Sequence, residues 1–271
     1  MLLPRAAWAI LACCVSAVSL SRAQPVVHLT FDSATDLAKD ASGRSHNGSA
    51  NGTVIATSNG VAGGAAQFDG AGFIGLDHNV ASALSANFTI SLWVATTTST
   101  GNNGDSALNG AGIVAALDHT ASSTTAALGL NGGVIGFAAA SDETTLHSQA
   151  AVNTGNFVHV VVTQDASTGA RSVFVNGALD NQSQGSSIAD AVHDILTLGA
   201  NPGQSSYFAG VIDDFQVYDQ ALNASDVAFL HANPGSAVGL LAVPEPSVLA
   251  LLALGVGRIA ARRSRWRPRK T

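Results

Sequence analysis

The run Phe88-Thr89-Ile90-Ser91-Leu92-Trp93-Val94 alternates with period two, so Phe88, Ile90, Leu92 and Val94 share one face of an extended chain. An amphipathic helix would instead repeat its apolar positions at three and four. Similar short apolar runs recur along the chain, divided by Gly, Asn, Ser and Asp. Strands are expected at Val26–Phe31, Ala65–Phe68, Phe88–Ala95, Ile113–Leu117, Ala126–Leu130, Val134–Ala138, Phe157–Gln164, Arg171–Val175, Leu196–Leu198 and Val211–Tyr218. Asn176-Gly177, directly after Ser172–Val175, predicts a two-residue hairpin turn. This pattern predicts an all-β fold, a two-sheet antiparallel sandwich.

One short helix is expected near the end of this body. Asn223 is its N-cap, Asp226 stands three residues on, and Val227, Leu230 and His231 form a small apolar face. Asn233-Pro234-Gly235 stops it, and residues 233–243 are small enough to serve as a linker.

The two ends have a different composition. Arg5, the apolar stretch Ala6–Leu20 and Ser21-Arg22-Ala23 have the three regions of an export signal with cleavage after Ala23, so residues 1–23 are assigned as a signal peptide. Both cysteines, Cys13 and Cys14, lie inside it, which leaves the mature chain without a disulfide. At the other end stand Val243-Pro244-Glu245-Pro246, an apolar run from Val248 to Gly257, Arg258, and a basic cluster from Arg262-Arg263 to Lys270. Positive charge after an apolar stretch holds that end in the cytoplasm. The apolar run is well short of the roughly 20 residues a stable span needs, so a transient membrane stop is expected at this end; each terminus carries an apolar targeting helix.

Between Gln24 and Val243 only Lys39, Arg44 and Arg171 face sixteen Asp and Glu143, a net charge near −14. Such a surface disfavours nucleic acid, whose phosphates need a basic footprint. Divalent cations and neutral sugars are compatible with it.

Several motifs, in this order, carry a resemblance: His28-Leu29-Thr30-Phe31-Asp32; the loop from Asp40-Ala41-Ser42-Gly43 to Gly48; Ala65-Ala66-Gln67-Phe68-Asp69-Gly70; Phe88–Val94; Phe157-Val158-His159-Val160-Val161-Val162-Thr163; and Gly210-Val211-Ile212-Asp213-Asp214 through Tyr218 to Ala221-Leu222. Together they resemble the concanavalin A-like laminin-G (LamG) sandwiches of bacterial secreted proteins, over residues 24–232, a resemblance that implies a jelly-roll topology. Phe157 stands where that family carries Trp, and Thr96–Gly112 reads as a variable surface loop. The segment from Pro244 to Thr271, with Pro244, Glu245 and Pro246 as its motif and Arg262 and Arg263 opening its basic end, resembles the PEP-CTERM sorting signal. That resemblance implies an exosortase-type processing partner and export to the surface or matrix of a Gram-negative-type bacterium.

The LamG resemblance implies a calcium ion between the opening strand, the D-x-S-G loop and the last strand. Carried over residue by residue, its ligands are Asp32, Asp40 and Asp213, with carbonyls near His46–Gly48. The bare residues also allow Asp32 and Asp40 to cap turns, and Asp213 to pack beside the sheet. Eight histidines are scattered without the short spacing of a zinc site. No catalytic set is expected: G-x-S-x-G, H-E-x-x-H and C-x-x-C are absent, and adjacent Asp213 and Asp214 on a strand point to opposite faces. Trp93 lies on the face opposite Phe88 and is expected to anchor a covering element rather than stack a ligand. The functional expectation is a non-enzymatic carbohydrate-binding or adhesive module associated with extracellular polysaccharide. A structural matrix protein without a ligand is the alternative, and a polysaccharide-acting enzyme a more distant one.

Overall fold

The computed structural model describes residues 23–102, 106–118, 123–139, 145–185 and 193–239. The expected terminal helices and the sorting motif lie outside the described residues. Among the described residues no helix is long and apolar enough to cross a membrane.

Two antiparallel sheets form a sandwich. From edge to edge the first runs Ala178–Gln184 (β13), Ala170–Val175 (β12), Val158–Asp165 (β11), Phe88–Ala95 (β6), Ala209–Tyr218 (β17), Ala65–Asp69 (β4) and Val54–Thr57 (β3). Val27–Leu29 (β1) pairs with the far half of β17, with Val27 opposite Val217. The second sheet runs Leu146–His147 (β10), Val134–Ala139 (β9), Ser123–Asn131 (β8), Ala111–Asp118 (β7), Ile195–Leu198 (β14), Phe73–Leu76 (β5) and Ser49–Asn51 (β2). The first and last strands of the body thus meet, as the motif order predicts.

Alternation decides what lies between the sheets. Phe88, Ile90, Leu92 and Val94 of β6 join Val160, Val162, Phe68 and Val217 from one side. Ile74, Val114, Leu128, Leu130, Phe137 and Leu196 meet them from the other. Phe88 and Phe137 cross the interface edge to face, with centroids 6.0 Å apart. The predicted hairpin joins β12 to β13, with Asn176 and Gly177 both at positive φ, the geometry an Asn-Gly type I′ turn requires.

Each sheet's outer face is also covered over its middle strands. Ala224–Ala232 (α2), capped by Asn223 as expected, lies on the first sheet, where Val227 and Leu230 pack with Val161, Phe174 and Tyr218. Trp93 is buried beneath it, stacked on His231 at 5.4 Å and beside His159 at 4.9 Å. Residues 106–110, from the segment expected as a free surface loop, lie on the second sheet: Ala107 packs on Ala127 and Ala138. A Cβ on Gly129 would sit 2.3 Å from the Ala107 carbonyl oxygen, so only glycine admits that approach. Beside it the hairpin Ala200–Asn201 (β15) and Ser206–Tyr207 (β16) presses on Gly112, whose N–H donates to Ser206 Oγ. The only other α-helix among the described residues is the single turn His78–Ala81 (α1).

The expected linker needs correcting. Residues 233–239 are not a free tether but a strap docked on the body, with Ala237 and Val238 buried. Gly235 N–H donates to Asp214 Oδ2 (2.8 Å), Gln216 Nε2 to the Ser236 carbonyl (3.0 Å) and Val238 N–H to Tyr218 Oη (3.1 Å). The strap's own residues are small and give no packing signal; its anchors are polar side chains of β17.

Candidate binding site

The three aspartates expected to hold calcium are each committed to protein donors. Asp40 accepts from the backbone N–H of His28, Ser42 and His46 and from the Ser42 hydroxyl, at 2.7–3.0 Å. Burial works against its charge, but these bonds outweigh it and hold the carboxyl below the usual carboxylate range. Asp40 therefore organises the 40–48 loop. Asp213 Oδ2 accepts from Val61 and Ala62 N–H at 2.7 and 3.1 Å, and Oδ1 from Asp214 N–H at 2.7 Å. Asp32 Oδ1 accepts from Gly64 N–H at 2.8 Å. Asp32 and Asp213 thus grip the same loop, residues 60–64, from two sides, whereas Asp40 holds another. Among the described residues no three His, Cys, Asp or Glu side chains gather as a metal-binding group. The expected three-aspartate cage is not gathered among the described residues, where both oxygens of Asp40 and Asp213 and one oxygen of Asp32 accept from protein donors.

A position that sequence reasoning passed over is Asp214. It sits at a bulge of β17, at φ 49°, fully within the protein. Its carboxylate meets His28 Nε2 at 2.7 Å, Gln216 Nε2 at 2.8 Å and Gly235 N–H. Asp213 and Asp214 serve separate partner sets, so they make no facing pair of acids.

Two buried groups give a pH signature. Burial pushes the Asp213 carboxyl up to about 6, with the Asp214 charge adding to it against three backbone donors. Burial, with His231 beside it, pushes His159 down to about 4. Between about 4 and 6 the folded state holds an extra proton on Asp213 and lacks one on His159. Asp213 therefore favours folding less as pH rises, and His159 favours it more, so the two slopes oppose. Asp213→Asn should leave the histidine slope, a loss of roughly 2 kcal/mol between pH 6.5 and 4.5 that is muted in the parent. Urea unfolding at the two pH values checks it; equal slopes in both proteins would contradict it.

One groove of about 460 Å³ opens at the rim of the sandwich. Its walls are Phe31, Asp32 and Ala34, then Ala56, Thr57 and Ser58 at the end of β3, and Gly63-Gly64. Phe31 leaves β1 at φ 55° with its ring buried, a strained turn for a non-glycine residue. Gly63, at φ 89°, lies so near Asp32 that a Cβ would fall 2.2 Å from Oδ1. Asp32 is exposed, and its Oδ2 has no partner among the described residues.

Residues 68–228 match the family model described as concanavalin A-like lectin/glucanases superfamily. Among solved structures, domain 4 of a GH43 extracellular arabinanase from Geobacillus stearothermophilus, in complex with arabinotriose, superposes with a TM-score of 0.58 at 21% identity. The superposition covers 78% of this chain and 99% of that one. The binding domain of botulinum neurotoxin DC, in complex with rat synaptotagmin II, has a TM-score of 0.58 at 15% identity. There 77% of this chain corresponds to 51% of the binding-domain chain, about half its length. No curated protein matches significantly. At these identities the solved structures speak for the fold, a lectin-like sandwich of the kind found in binding domains, and the family model covers more than half of the sequence. The chain belongs to the concanavalin A-like lectin/glucanases superfamily.

Proposed function

We propose that this chain is a non-catalytic carbohydrate-binding module, exported and associated with extracellular polysaccharide. The observation that carries the reading is the use made of the acids. Asp40, Asp213 and Asp214 are engaged by backbone and side-chain donors that fix loops and the strap. Carboxylates so occupied hold shape rather than transfer protons. The arabinotriose complex of the arabinanase domain supports a glycan as ligand. Export rests on the signal segment and on the Pro244–Pro246 motif with its basic end. In this reading an exosortase-type enzyme removes the tail after a transient membrane stop.

The test is a glycan array probed with the exported protein, with and without calcium. Binding of a defined set of oligosaccharides is expected. EDTA should leave both the binding and the melting temperature unchanged, since both oxygens of Asp40 and Asp213 already have protein donors. A calcium-dependent rise in either would restore the metal. No binding to any glycan would favour the ligand-free structural protein. The intact mass of the same preparation reports processing: it should lack Arg262–Thr271, and a chain ending in Thr271 would make the tail a plain anchor.

A further inference from the structure

We propose that the sugar binds in the rim groove at Asp32, on neither sheet face, and that the groove takes adjacent hydroxyls of a neutral saccharide. This rests on the carbohydrate-binding reading and adds the place and the chemistry. The faces are excluded by what covers them. Over the middle of the first sheet lie α2 and the strap, and the aromatics there able to stack a sugar are buried: Trp93 against His159 and His231, Phe174 and Tyr218 beneath α2. Over the second lie Ala107 and the β15–β16 hairpin, seated on Gly129 and Gly112 too tightly for a Cβ.

The groove has the opposite character. Its volume of about 460 Å³ falls inside the roughly 300–1,000 Å³ of small-molecule sites. Among the described residues it offers a carboxylate oxygen at Asp32 and a hydroxyl at Ser58 that have no partner, and Thr57 Oγ1, which accepts a 3.3 Å bond from Asn59 N–H. An ionised carboxylate only accepts, and sugar hydroxyls donate to it in charge-assisted bonds. The neighbouring hydroxyls of Ser58 and Thr57 both donate and accept, which suits the next hydroxyl of the ring. The Asp32 carboxylate is held in a fixed orientation, because Gly64 N–H engages Oδ1 and leaves Oδ2 open to a ligand. Acidic sugars would meet Asp32 and a body charge near −14, so neutral ones are selected.

The test compares unsubstituted neutral oligosaccharides with uronic-acid oligosaccharides of equal length, titrated into the exported protein by calorimetry. Neutral chains should bind, and uronic chains at least tenfold more weakly. Asp32→Ala should weaken neutral binding at least tenfold. Ala56→Trp, which fills the groove and leaves Asp32 in place, should do the same if the melting temperature is kept. Asp165→Asn, in a turn of the opposite hairpin, should change nothing. Neutral binding that survives both groove variants would overturn the site while sparing the carbohydrate-binding reading. A parent protein that binds no glycan would overturn both, and a preference for uronic chains would overturn the ligand chemistry.

Discussion

Asp214→Ala is expected to lose about 3–5 kcal/mol of stability, because each buried donor left without an acceptor costs about 1–3 kcal/mol. His28 Nε2, Gln216 Nε2 and Gly235 N–H would all lose their acceptor inside the protein. Alanine at φ 49° would add strain, because the left-handed region suits Asp and Asn better than other side chains. Asp214→Asn keeps an acceptor and tolerates that backbone, so it should lose clearly less. Urea unfolding measures both. A loss below about 1 kcal/mol for the alanine variant would mean that the network does not hold the last strand and the strap together.

Truncation gives the second large effect. A chain ending at Pro234 loses the Gly235, Ser236 and Val238 bonds and the buried Val238 side chain. Burial of one valine is worth about 1.5–3 kcal/mol, and orphaned partners such as Gln216 add to the loss, so roughly 3 kcal/mol is expected. A chain ending at Gly239 should keep the parent midpoint. Equal midpoints for the two truncations would return residues 235–239 to the role of a tether. The strap also bears on the ends: a Cβ on Gly239 would lie 2.6 Å from the Ala23 carbonyl oxygen, so the body's first and last described residues lie side by side.

The frame of this fold was legible wherever apolar residues alternate. β6, β11 and β17 carry long runs with one face in the core, and all three were expected with nearly their observed ends. Ser49–Asn51 is exposed throughout, and β13 is mostly so, because edge strands need no apolar face. They hold by backbone pairing, joined in β13 by polar side chains such as Asp180 and Asn181, and leave no apolar period in the sequence. The outer layers were partly legible. Trp93 facing away from Phe88 did signal a cover, but Gly129 and Gly136 gave no sign of which loop would lie on them. At the site, the D-x-S-G spacing identified Asp40 as a loop organiser or a metal ligand, and only the four donors around it decide between these. Asp214 was hidden for a different reason. Its role depends on a bulge that takes it out of strand register, and on His28, 186 positions earlier in the chain.

Binding without turnover can be read in one incubation. The protein is mixed with an insoluble neutral polysaccharide, and both the protein retained in the pellet and the reducing ends released are measured. Retention that soluble neutral oligosaccharide competes away is expected, with no reducing ends above the protein-free control. Release of reducing ends that grows with time and protein concentration would contradict it, as would protein that stays wholly in the supernatant.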